Sequence, residues 1–243
     1  MTGVQTCALP ISSQKELAEL CRELVVQINE LRPQLPEDAN GMILENSLTE
    51  TGWAAKEAFD SLHTSYPTLS EGYGPPKPVF FSRALSACNI TGIFFPFTFE
   101  ANVNVDIPDY SIPFTMCHEL THLRGYMRED EANFIAYLAC RESDRNDFQY
   151  SGALSAFIQA NNALYARNSE LASEIYNTLN DAVKRDVSYN NAYWKQFEGP
   201  VADAASKVND VYLKANRQQD GVESYGRMVD LLLADYRKRH QLS

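Results

Sequence analysis

His118-Glu119-Leu120-Thr121-His122 sets two imidazoles and a carboxylate within little more than one helical turn. At about 100° per residue, positions four apart lie roughly 40° apart on a helix, so both rings can reach one cation. Glu119 then lies beside that cation and not on it. There a general base takes a proton from water whose pKa a zinc ion has lowered to about 7. The surroundings predict the helix independently. Pro113 suits a first turn, Met116, Leu120 and Leu123 recur at helical spacing, and Gly125 is a natural stop, which gives a helix over about residues 112–124. The competing reading of the same five residues is a solvated or salt-bridged helix face.

Two histidines do not hold catalytic zinc. A third protein ligand is needed, with a further position left for water. After Gly125 and Tyr126 a second helical pattern opens on Arg128-Glu129-Asp130-Glu131-Ala132-Asn133 and continues through Phe134, Ile135 and Leu138, with Ala132, Ala136, Ala139 and Cys140 filling the rest. Glu129, Asp130 and Glu131 cannot all be ligands, since an acidic residue in a first turn is also a partner for the helix dipole. Glu131 shares a face with Ile135 and Leu138 and is expected to turn inward as the third ligand, with Glu129 as its substitute and Asp130 left for solvent or capping.

His118 to His122 followed by Glu131-Ala132-Asn133 resembles the gluzincin-type zincins, where a Glu opening a second helix completes the metal site. More narrowly, Gly92-Ile93-Phe94-Phe95-Pro96-Phe97-Thr98, the stretch 100–106 and the run from Cys117 through Cys140 resemble the bacterial DUF3810 family. The resemblance covers most of the chain beyond residue 12. It implies a membrane-associated zinc metallopeptidase with His118, His122 and Glu131 as ligands and Glu119 as base, and it names no substrate. The metzincin pattern fails, because Arg128 stands where those enzymes have their third His, and a guanidinium is no ligand.

Residues 2–11 resemble a translated sequencing-library adapter, so residues 1–12 are read as a non-native tag and set aside. The remaining residues 13–243 are expected to form one domain, with helices and a sheet over about 13–107 and the active-site helices and a helical part over 108–243. At roughly 230 residues this is enough chain for a sizeable core, and 44% hydrophobic with 11% aromatic residues is the profile of a folded protein. The net charge of -11 argues against nucleic acid as a partner. No stretch reaches the roughly 18 apolar residues of a membrane span. The chain is therefore expected to be soluble as given, with membrane attachment only through an anchor upstream that the family resemblance implies. Cys21, Cys88, Cys117 and Cys140 match no zinc knuckle, and a Cys117–Cys140 disulfide is one pairing the spacing permits.

The elements that must position the site are mainly helical. Ser13 with Glu16 forms a capping box before an amphipathic run of Leu17, Leu20, Cys21, Leu24, Val25 and Ile28 that Pro33 ends, and a second helix spans about 48–64. Val79-Phe80-Phe81 and residues 92–99 read as strands, and residues 101–107 alternate with period two. This last segment is expected to be a half-exposed edge strand whose free backbone groups at Ala101, Asn102, Val103 and Asn104 pair with an extended peptide; an ordinary solvent-facing strand is the alternative. Beyond Cys140, helices are expected over about 147–166, 168–185, 190–215 and 220–239. Tyr225 and Arg227, at the start of the last, are candidates to stabilise an oxyanion.

These readings converge on an α+β, predominantly helical, zincin-like fold with a small sheet packed on the histidine helix. The function expected is peptide-bond hydrolysis by zinc-activated water, acting on peptide or protein substrates. The alternatives are a non-catalytic sensor or scaffold with a structural zinc site and a highly selective processing protease.

Overall fold

The computed structural model describes residues 14–69, 72–200, 202, 204, 205 and 225–242. Helix α1 (Gln14–Leu31) turns Leu17, Leu20, Leu24 and Ile28 inward at helical spacing, and a 3-10 turn at Arg32–Gln34 containing Pro33 follows it. Ser13 lies outside the described residues, so its capping box does too. Helix α2 (Leu48–Ser65) begins on a capping box between Ser47 and Glu50, in which each side chain satisfies the other residue's backbone N–H.

A short strand β1 (Lys77–Pro78) leads through a turn at Phe80 and Phe81 into helix α3 (Ser82–Ala87), followed by strands β2 (Gly92–Phe95) and β3 (Glu100–Val103). The strand expected over Val79 to Phe81 is therefore confined to the residues before it, although Val79 N–H still donates to the Val103 carbonyl at 2.9 Å. The sheet order is β1-β3-β2, with β3 parallel to β1 and antiparallel to β2. This corrects the expected edge strand: β3 is central, its backbone groups are engaged from both sides, and Ala101, Val103 and Asn104 are buried. Strict alternation is a property of any strand with two unlike faces and does not report its place in the sheet. The Asn104 side chain reads as polar yet is buried because it donates to the Ile90 carbonyl and to Ser86 Oγ, fastening the sheet to α3.

A 3-10 turn at Asp109–Ser111 feeds helix α4 (Ile112–Leu123), and α5 (Glu129–Glu142) follows after five residues. Pro113 sits in the first turn of α4, where its missing N–H costs nothing, and Phe114 N–H donates to Ser151 Oγ of the next long helix at 3.0 Å. That helix, α6 (Asn146–Tyr165), is apolar nearly all round and lies at the centre, with α1, α4, α5 and α7 against it. Helices α7 (Ser169–Asn177) and α8 (Asp181–Lys195) replace the expected boundaries at 185 and 190. Asn180 accepts from Val183 N–H and starts a new helix where periodicity alone ran on. The last described helix, α9 (Tyr225–His240), packs against α1, α5 and α6. Among the described residues, the buried apolar side chains from Leu17 to Tyr236, Ala132 apart, form one cluster. No helix among the described residues is long and apolar enough to cross a membrane.

One buried ionic network ties the carboxyl-terminal helices to the amino-terminal ones. Asp186 of α8 accepts from Arg32 Nε at 2.6 Å, Arg32 Nη2 at 3.1 Å, Tyr150 Oη at 2.5 Å and Met42 N–H at 2.9 Å, with both charged side chains removed from solvent. Taking away Asp186 leaves the buried Arg32 with the half-exposed Glu37 as its ionic partner, at 2.8 Å, and removes the bonds to its Nε, to Tyr150 and to Met42. Asp186→Ala should therefore destabilise the protein by about 3–5 kcal/mol, read as a fall in melting temperature on the order of 10 °C.

Candidate metal centre

Helix α4 is buried along most of its length, and its C-terminal half presents His118 and His122 with ring centroids 4.5 Å apart. The two Nε2 atoms face each other at 3.0 Å. Helix α5 starts at Glu129, and its carboxylate closes the triangle, with Oε2 at 3.2 Å from His118 Nε2 and Oε1 at 3.6 Å from His122 Nε2. The tight reversal between the helices is made by Gly125, whose φ of +91° places it in the left-handed region.

Glu129, not Glu131, is thus the carboxylate that the structure brings to the imidazoles. Glu131 lies two residues further on, about 200° round the helix; its side chain is 43% exposed and sits 3.5 Å from Arg128 Nε. The signal that finds Glu129 is the row of small residues on its own face. Ala132, Ala136, Ala139 and Cys140, at three, seven, ten and eleven residues beyond it, are all fully buried, because only small side chains let α5 approach α4 closely. Large apolar residues at 135 and 138 mark the side facing the wider core and led to the neighbouring carboxylate. Asp130 is also corrected: it is buried, not solvated, and accepts from Arg128 Nε and Nη2 at 3.2 and 2.8 Å.

The geometry suits a small cation: one ligand atom from each of the three residues lies within 4.8 Å of the others. Ligand atoms about 2.0–2.1 Å from zinc at tetrahedral angles stand roughly 3.3 Å apart, and the two Nε2 atoms, at 3.0 Å, are close to that value. The hydrogen bond to the other ring nitrogen also favours it for His122, whose Nδ1 donates to the Tyr126 carbonyl at 2.8 Å and so leaves an Nε2 lone pair aimed at the centre of the cluster. His118 Nδ1 is buried without a hydrogen-bond partner; Asn133, one turn beyond Glu129, lies beside the ring and favours its charged form.

The electrostatics record the crowding. Burial alone would lower His118, but the hydrogen bond and charge of Glu129, then the charge of Glu119, raise it to about 9. Burial and the His118 charge push His122 down to about 4. Burial works to raise Glu129, and its contact with His118 more than offsets that, holding it below the usual range. Burial drives Glu119 up to about 7, with Glu129 adding to the rise and His118 opposing it.

Glu119 sits under the sheet. An atom added at the Cβ position of Gly92 would lie 2.3 Å from Glu119 Oε1, so β2 passes directly over the carboxylate, and Glu119 Oε2 has no hydrogen-bond partner. A buried carboxylate oxygen with nothing to accept from is costly unless a ligand or reacting water belongs there. Of the remaining sequence candidates, Ala101 to Asn104 lie in the paired centre of the sheet. Arg227 is exposed on α9, and the Tyr225 side chain lies outside the described residues. Cys117 and Cys140 meet across the α4–α5 interface as free thiols, not as a disulfide.

Three substitutions separate the parts of this arrangement. Glu129→Ala should reduce zinc affinity at least tenfold in a competition titration, whereas Glu131→Ala should leave it within twofold. Gly92→Ala should displace the Glu119 carboxylate and leave the affinity for added zinc within twofold of the parent's in the same titration. No curated protein and no solved structure matches the chain. One family model covers residues 7–233, and the chain belongs to that family, DUF3810, described as a protein of unknown function.

Proposed function

We propose that the protein is a zinc-dependent metallopeptidase. The observation that supports this reading is the convergence of His118, His122 and Glu129 beside a buried, partly unpartnered Glu119. The donor set of two imidazoles and one carboxylate suits zinc over the hard oxygen-seeking cations. Among the described residues the cluster has three members, which favours a catalytic site over a structural one that four protein ligands close.

A zinc ion bound there supplies Lewis acidity toward a carbonyl oxygen and acidifies water. His118, His122 and Glu129 would hold it and fix its position. Glu119 is close to the ligands without belonging to them, and the burial that raises its proton affinity also keeps bulk water from competing. It accepts the proton of the attacking water and passes it to the departing amine nitrogen. The outer edge of β2, which runs over Glu119 at Gly92, offers backbone groups to an extended peptide, a role the central β3 cannot fill. The substrate class is therefore a peptide bound in extended form.

Glu119→Gln removes the base and keeps the ligands. It should retain stoichiometric zinc and lose about 10²–10⁴-fold in peptide cleavage; a variant as active as the parent would reject Glu119 as the base. His118→Ala should lose the metal. Because the metal joins α4 to α5, chelation should lower the melting temperature of the parent and leave that of His118→Ala unchanged.

A further inference from the structure

The β2–β3 hairpin has an unusual surface. Residues 89–99 contain no charged side chain, in a chain of net charge -11, and they carry Phe94, Phe95, Phe97 and Phe99. Phe94 packs against the core, whereas Phe95, Phe97 and Phe99 are 48%, 96% and 66% exposed around the turn at residues 96–99. Phe99 is held at φ +52°, a region bulky residues seldom enter. Where the tip rejoins the sheet, Glu100 pairs with Lys77 of β1, which neutralises the charge that follows the aromatic turn.

We infer that this hairpin tip docks into a zwitterionic lipid bilayer, with Phe95, Phe97 and Phe99 entering the interfacial layer. The three rings expose roughly 400 Å² between them, about half of the ~800 Å² that one side of a stable protein–protein interface buries. They form no ring pair with one another among the described residues. A fluid bilayer imposes no shape or minimum area, and an aromatic ring is well placed between headgroups and acyl chains. The absence of positive charge in the tip and the chain's acidic balance select an uncharged lipid surface over an anionic one.

The placement has a consequence for the site, resting on the peptidase reading above. Phe95 is three residues along β2 from Gly92, about 10 Å at strand rise, and Gly92 covers Glu119. The docked tip would hold the metal centre close to the lipid headgroups and direct it to extended segments that emerge at a membrane surface.

The test uses the full chain and phosphatidylcholine vesicles. The wild-type protein should co-sediment with them, and Phe97→Asp should lower the partition coefficient at least tenfold. Phe97→Trp should shift its emission to the blue on adding vesicles and be quenched by phosphatidylcholine brominated on the acyl chain. The proposal is overturned if the wild-type chain stays in the supernatant, or if the added tryptophan responds to neither vesicles nor brominated lipid. It is equally overturned if that emission shifts with protein concentration alone, which would assign the tip to a second copy of the chain. None of these readouts involves metal or turnover, so failure here leaves the peptidase reading standing, and failure of peptide cleavage leaves vesicle docking standing.

Discussion

The close approach of α4 and α5 is the constraint on which the structure turns. Two imidazoles and two carboxylates lie in or beside a hydrophobic core, where each would be costly alone. They are tolerated because the helices come near enough for the Glu129 carboxylate to meet both rings, and because Glu119 is held apart under the sheet by the space that Gly92 leaves. Small residues make the approach possible. Ala132, Ala136 and Cys140 face α4, and Cys117 meets Cys140 there with burial raising the Cys140 thiol well above its ordinary value.

The rest of the fold fixes where those two helices sit. Ser151 of α6 takes a backbone N–H from the first turn of α4, so the start of the histidine helix is set by the central helix and not by its own cap. The sheet fixes the other side. Its central strand is bound on both edges and pinned through Asn104, while the outer strand that passes over Glu119 keeps one edge unpaired among the described residues. The division is physical: a buried, fully bonded strand gives rigidity, and an edge strand offers unsatisfied backbone groups.

Much of this was legible in the sequence, and the parts that were not share a cause. The helix bearing His118, Glu119 and His122 is readable because four independent local signals coincide: the five-residue spacing, the apolar period, Pro113 and Gly125. The existence of a carboxylate on the following helix is readable too, but its identity is not fixed by the large apolar residues. Ile135 and Leu138 face the bulk of the core, whereas the α4 side of α5 is lined by alanines, which carry little weight in a hydrophobic pattern. Strand order has no local signature, so alternation over residues 101–107 could identify a strand but not its neighbours. The break between α7 and α8 depends on a single Asn180 side chain capping Val183, a contact that periodicity does not register.

One glycine deep in the core has mechanical consequences. At position 152 of α6 even a methyl group would lie 2.5 Å from Cys140 Cβ, so α6 and α5 are in backbone-to-side-chain contact with no room to slide. Since α6 also grips α4 through Ser151, both helices of the cluster are clamped to the same post. A cation bound as proposed would therefore meet donor residues already in place, with little ordering left to be done on binding. Whatever adjustment admits a guest has to come from the opposite wall, where a thin three-stranded sheet yields more easily than stacked helices.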